Sequence, residues 1–194
     1  SKTSLSRIAM GYEVDVTALQ MVNALCVIAN GGTLYQPQIV QRITSQDGLT
    51  LYRSQSKKIR RVIHEGAANK VRNALMAVVS KGGTGTRAQV DGFNVAGKTG
   101  TAYKPKDPRN QGYHEGRYVV SFMGFLPAEN PRLAGIIVVD DPQNKGSRYG
   151  GTVAAPIFSK IAAAAMPYMG IDPRKATRSL GPFTGQVLQS NLID

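Results

Sequence analysis

From Thr17 to Ala29 the apolar residues Ala18, Leu19, Met21, Val22, Leu25, Cys26, Ile28 and Ala29 recur at helical spacing, and Asn30-Gly31-Gly32 follows. Apolar positions three and four apart share one helix face, and a glycine pair ends one, so the segment predicts a helix with a glycine stop. The pattern changes to alternation over Gln38 to Thr44 and Leu49 to Arg53, joined by Gln46-Asp47-Gly48. Asp-Gly supplies the positive φ that a tight turn needs, which predicts a small antiparallel hairpin. Helical spacing returns at Ala67, Val71, Leu75, Met76, Val78 and Val79, predicting a second helix over Glu65 to Ser80 that stops at Lys81-Gly82-Gly83.

Three strand-like segments come next: Phe93 to Tyr103, Tyr118 to Leu126 and Leu133 to Val139. Only Pro127 to Arg132 separates the last two, and a parallel crossover needs about a dozen residues, so that pair must be antiparallel. Ile136 to Asp141 reads as a central antiparallel strand ending at an Asp-Pro turn. Lys104 to Gly116 holds prolines and charges without apolar periodicity and reads as a long, mobile loop. Gly150-Gly151 leads into an amphipathic helix over Thr152 to Met169 with Pro156 near its start; after Pro173 the pattern fades into a polar, basic tail. The expectation is an α+β fold, an antiparallel sheet flanked by helices, filling residues 1–172, with a tail over 173–194.

Composition narrows this only a little. A chain of 194 residues suits one domain, and its 42% hydrophobic and 19% charged residues are ordinary for a folded protein. No apolar run approaches the roughly 18 residues that cross a bilayer. The chain begins at Ser1 without a signal peptide, from which we expect any targeting segment to lie outside these residues. The single cysteine, Cys26, sits in an apolar helical pattern and is expected to pack as a small hydrophobe. No cofactor and no metal site are expected.

Charge is more telling. The net charge is +12, from 24 Lys and Arg against 12 Asp and Glu, which favours anionic partners. It concentrates at Arg53, Lys57, Lys58, Arg60 and Arg61 and again at Arg174, Lys175 and Arg178, without aromatics interleaved along one helix. That distribution fits a solvated basic face better than a nucleic-acid surface.

One stretch carries candidate chemistry. Gly92-Phe-Asn-Val-Ala-Gly-Lys-Thr99 satisfies the phosphate-loop pattern G-x-x-x-x-G-K-[ST]. A phosphate loop must open a helix at its Lys-Thr, because the helix N-terminus binds the phosphates. Here Gly100, Pro105 and Pro108 occupy the positions of that helix, and Phe93 to Ala96 is β-prone. The stretch therefore reads as a strand, with Lys98 and Gly100 on one face and Thr99 and Thr101 on the other. Such a strand offers a cation, two hydroxyls and a glycine over which a ligand can lie close to the backbone. At a sheet edge it also offers main-chain groups to an extended peptide.

Lys98-Thr99-Gly100 is also one of the three motifs of penicillin-binding serine acyl transferases. Around it, Met10 to Gln20, Ala29 to Pro37, Val78 to Thr86, Val95 to Ala102, Ser121 to Pro127 and Gly150 to Phe158 occur in order. With these segments the chain resembles the C-terminal half of the transpeptidase domain of class B penicillin-binding proteins, a partial penicillin-binding or β-lactamase-like domain. The resemblance implies peptidoglycan D,D-transpeptidation through an acyl-enzyme, in cell division or cell-shape growth. It implies as partners a stem peptide, β-lactams and the N-terminal part of the same domain, with no nucleic acid. It implies an extracytoplasmic, periplasmic location at the cytoplasmic membrane, held by an anchor outside this chain. It also implies catalytic roles for Lys98 and Thr101, the Thr101 N–H as half of an oxyanion hole, and substrate-binding roles for Thr99, Gly100 and Tyr149.

The other two motifs do not follow. The only literal Ser-x-x-Lys is Ser54-Gln55-Ser56-Lys57, in a basic, polar segment and not at the start of an apolar helix, and no Ser-x-Asn occurs. The expectation is an inactive fragment whose nucleophile lies N-terminal to Ser1 and whose uncovered apolar surface drives self-association. The competing readings are an inert binding or structural module of the same fold, and a basic nucleic-acid-binding domain.

Overall fold

A computed structural model of the chain describes residues 5, 8, 11, 14–106, 112–143 and 148–173. In chain order these form helix α1 (Ala18–Ala29), strands β1 (Thr33–Tyr35), β2 (Arg42–Thr44), β3 (Thr50–Arg53) and β4 (Lys58–Arg61), helix α2 (Glu65–Val79), a 3-10 turn (Thr86–Ala88), strands β5 (Ala96–Pro105), β6 (Tyr113–Leu126) and β7 (Leu133–Asp140), and helix α3 (Gly150–Tyr168). The fold is α+β with antiparallel sheets, as the hydrophobic pattern predicts. The basic cluster from Arg174 onward lies outside the described residues.

Helix α1 starts where the sequence places it, because Thr17 and Gln20 form a reciprocal capping box: the Gln20 N–H donates to Thr17 Oγ1 at 3.2 Å and the Thr17 N–H to Gln20 Oε1 at 2.8 Å. After Asn30, Gly31 and Gly32 take φ of 81° and 107°, which a side chain would strain, and the helix ends.

The main sheet has the order β5-β6-β7, so β6 is its central strand and β7, among the described residues, lies at an edge. This corrects the reading of Ile136 to Asp141 as central. The apolar run Ile136 to Val139 suggested two buried faces, yet Val138 is half exposed, whereas β6 buries Val120, Phe122, Phe125 and Leu126 completely. Cross-strand partners share a face, and the register assigns each face its helices. Thr99 is opposite Phe122, whose ring lies 5.0 Å from that of Phe158 in α3. Ala96 is opposite Phe125, which packs with Leu25 and Ala29 of α1 and Leu75 of α2. Helices thus cover both faces, and each fully buried large side chain contributes about 1.5–3 kcal/mol.

The expected loop from Lys104 to Gly116 is shorter than the sequence suggests. Strand β5 continues through Pro105 and β6 begins at Tyr113, with these two residues paired; 107–111 lie outside the described residues. Tyr103 packs against Tyr118 at 4.9 Å and Tyr113 at 6.3 Å between centroids, and Lys104 reaches across β6 to Asp140 at 2.6 Å. Proline is tolerated there because it ends an edge strand.

The predicted hairpin forms as β2 and β3, and it extends further than the apolar alternation shows. Strand β4, which the sequence presents only as a basic cluster, pairs with β1. The Gln36 N–H donates to the Lys57 carbonyl and the Ser54 N–H to the Gln41 carbonyl, both at 2.9 Å, so the two short ladders make one antiparallel ribbon.

Candidate active site

Strand β5 supplies the centre of the site. It is paired only with β6 among the described residues, so alternate main-chain groups along Lys98 to Thr101 face an open edge. No helix starts at Lys98-Thr99, which removes the phosphate-loop reading on structural grounds as well. Lys98 is exposed, and its ammonium donates to the Thr99 carbonyl at 2.8 Å.

Two further segments converge on this strand. The loop after α2 brings Thr84, whose hydroxyl lies 3.0 Å from that of Thr99. The N-terminus of α3 brings Gly150, whose N–H donates to Thr101 Oγ1 at 3.1 Å. The Thr101 hydroxyl thus accepts one of the N–H groups that a helix start leaves unpaired, and it keeps its own proton to donate. One proton is shared between Thr84 and Thr99, which leaves one of those hydroxyls a free donor.

Glycines make this convergence possible. A Cβ at Gly150 would lie 2.2 Å from the Ser121 carbonyl oxygen and 2.4 Å from that of Gly100. At Gly151 it would lie 2.0 Å from the Thr84 carbonyl oxygen, and at Gly100 it would meet Ser121 Oγ at 2.3 Å. Helix, loop and strand are therefore in backbone contact, which no other residue type permits. Because α3 is 19 residues long and points its N-terminus at Thr101, its dipole adds positive potential to that of Lys98. The arrangement can hold an anionic group along β5 and hydrogen-bond an extended peptide at its edge.

Of the residues singled out from sequence, Lys98, Thr99, Gly100 and Thr101 lie together on β5. Tyr149 is the N-cap of α3, exposed and next to Gly150, and caps the helix with no side-chain hydrogen bond. Ser54 does not join them: it sits in the ribbon between β3 and β4, not at a helix start. Sequence spacing gives Thr84, Ser121 and Gly150 no role, because a motif within one strand is blind to what the next elements bring to it. Beyond the threonines, a hydrogen bond to Tyr103, then burial, raises the pKa of the Tyr118 hydroxyl. At the far end of β7, Arg117 holds the Asp141 carboxyl below its usual range through a hydrogen bond and charge attraction.

A family model described as the penicillin-binding protein transpeptidase domain matches residues 1–163. Stage V sporulation protein D of Bacillus subtilis is 43% identical over 169 residues, 86% of this chain and 25% of that protein. A probable peptidoglycan D,D-transpeptidase PenA of Neisseria gonorrhoeae is 35% identical over 167 residues, 86% of this chain and 26% of that protein. Among solved structures, the penicillin-binding protein 3 of Mycobacterium tuberculosis complexed with ampicillin superposes with a TM-score of 0.71 at 34% identity, covering 83% of this chain and 36% of that one. The apo transpeptidase domain of penicillin-binding protein 3 from Burkholderia pseudomallei gives a TM-score of 0.69 at 34% identity, over 84% of this chain and 45% of that one. The chain spans about a quarter of the length of these curated relatives.

Proposed function

Since the chain belongs to the penicillin-binding protein transpeptidase family, we infer that it is the C-terminal part of a peptidoglycan D,D-transpeptidase domain and forms the substrate-binding wall of its active site. The observation that carries this reading is the convergence of Lys98, Thr99 and Thr101 with Thr84 and the α3 N-terminus on the open edge of β5. A stem peptide lies along that edge. Its carboxylate meets the Lys98 ammonium and the donor hydroxyls of the threonine set.

A serine from the N-terminal part of the domain attacks the scissile carbonyl carbon, and the terminal D-alanine leaves as the acyl-enzyme forms. An amine of a neighbouring strand then takes the acyl group and releases the serine. The Thr101 N–H donates to the developing oxyanion, and losing one such donor costs roughly 2.7–4 kcal/mol. Its main-chain direction matches that of Thr99, two residues away, whose carbonyl Lys98 holds. A β-lactam enters the same way and stays bound as a stable ester.

The remaining features fit a part of a larger domain. Val14, Val16 and Leu19 expose their side chains around the start of α1, a surface for the N-terminal part to cover or for self-association of the fragment. No helix among the described residues is long and apolar enough to cross a membrane.

The test is acylation of the parent protein by a fluorescent penicillin. Labelling is expected in the wild type and is expected to slow by roughly a hundredfold or more in Lys98→Ala or Thr99→Ala. A folded parent protein that takes no label would overturn the enzymatic reading in favour of an inert module. Salt-sensitive binding to DNA would revive the nucleic-acid reading.

A further inference from the structure

The ribbon from β1 to β4 has no part in the site above, and its surface is unusual. Between Thr33 and Arg61 it carries Arg42, Arg53, Lys57, Lys58, Arg60 and Arg61 against one acid, Asp47. Every residue of β2, β3 and β4 is exposed. Arg42 and Arg53 are direct cross-strand partners, an arrangement that like charges make unfavourable. Among the described residues neither has an acidic partner, and both line an open depression of about 500 Å³ together with Gln41 and Ser54. Two guanidiniums facing one depression form a fork for an oxyanion.

The same ribbon exposes apolar side chains beside these cations. Tyr52 is opposite Ile43, and Leu51, its neighbour in the chain, is the unpaired residue where the register shifts between Ile43 and Thr44. Leu51 is 68% exposed and Tyr52 48%, and Ile39 is 98% exposed. A soluble polyanion would neutralise the cations and leave these groups in water. A lipid interface meets both kinds of group, with phosphates at the cations and the acyl-chain boundary at the apolar side chains.

We propose that the β1–β4 ribbon is a docking arm for an anionic phospholipid surface, with a lipid phosphate seated between Arg42 and Arg53. The turn at Gln46-Asp47-Gly48 is polar, so the arm lies along the interface and does not spear it. Because the arm contributes none of the residues around β5, the proposal stands or falls separately from the transpeptidase reading.

The experiment is co-sedimentation of the 194-residue chain with phosphatidylcholine vesicles with and without phosphatidylglycerol. Binding is expected only with phosphatidylglycerol and falls as salt rises. Arg42→Gln with Arg53→Gln should weaken it on the order of thirtyfold. Leu51→Ser with Tyr52→Ser should weaken it as well, with the melting curves of all variants matching wild type. Equal binding to neutral vesicles, or full binding by the double arginine variant, would overturn the proposal. So would equal affinity for soluble polyphosphate combined with no effect of the apolar substitutions, which would make the arm a site for a soluble polyanion.

Discussion

Replacing Gly150 with alanine perturbs the site through a single methyl group. The added Cβ would stand 2.2 Å from the Ser121 carbonyl oxygen and 2.4 Å from that of Gly100, both main-chain atoms of paired strands that cannot rotate away. Relief requires the start of α3 to retreat by about 1 Å, the overpacking strain of which costs about 1–3 kcal/mol. The same retreat stretches the Gly150 N–H bond to Thr101, now 3.1 Å, to about 4 Å and breaks it, at a further cost of about 1 kcal/mol. The expected loss is about 2–4 kcal/mol, or roughly 4–16 °C in melting temperature for a chain of this size. Urea and thermal unfolding of the chain measure it. Gly66→Ala is the matched control, because a Cβ there meets nothing within 4 Å and alanine favours the helix by up to about 1 kcal/mol. A Gly150→Ala chain as stable as wild type or as the Gly66→Ala control would refute the packing argument.

Phe158→Ala removes the ring that packs, tilted, against Phe122 and should cost about 3–5 kcal/mol in urea unfolding; a loss under about 1 kcal/mol would mean that α3 does not anchor this face. Thr84→Val keeps the shape and deletes the hydroxyl opposite Thr99, so stability should fall by about 1 kcal/mol while penicillin acylation of the parent protein slows; unchanged acylation would take Thr84 out of the site. Asp141, held below its usual value of 3.8 by Arg117, contributes stability that is fully present above that value and is lost as pH falls through the lower folded value. The melting-temperature gap between wild type and Asp141→Asn should therefore be constant near neutrality and close in acid; a gap independent of pH would refute the ion pair's role.

Periodicity exposed the elements that bury a stripe. Helix α1 has both its apolar face and its Thr17 and Gly31 boundaries written locally, and α2 and α3 likewise lie within a few residues of their predicted spans. Strand β4 was invisible because Lys58-Ile-Arg-Arg61 has neither the apolar alternation nor the Asp-Gly turn that marks β2 and β3, and only main-chain pairing with β1 makes it a strand. The length of β6 was hidden for a related reason: Tyr113 to Arg117 lies on a ribbon held by aromatic and ionic contacts to distant residues, not by burial. Strand order was illegible too, since an apolar run in β7 looks the same at a centre as at an edge. Within the site, the lysine, threonines and glycine of β5 could be read because they are contiguous. Thr84 and Gly150 reach β5 from 15 and 49 residues away in sequence, and only the fold brings them there.

The transpeptidase reading proposed above makes this chain the substrate wall for a nucleophile that it does not contain. Peptide mapping by mass spectrometry of the penicillin-treated parent protein tests it most directly. One penicilloyl adduct is expected, on a serine N-terminal to the residue numbered Ser1 here, with its formation suppressed by Lys98→Ala. An adduct on any serine within residues 1–194, Ser54 included, or no adduct on the folded parent protein, would contradict it.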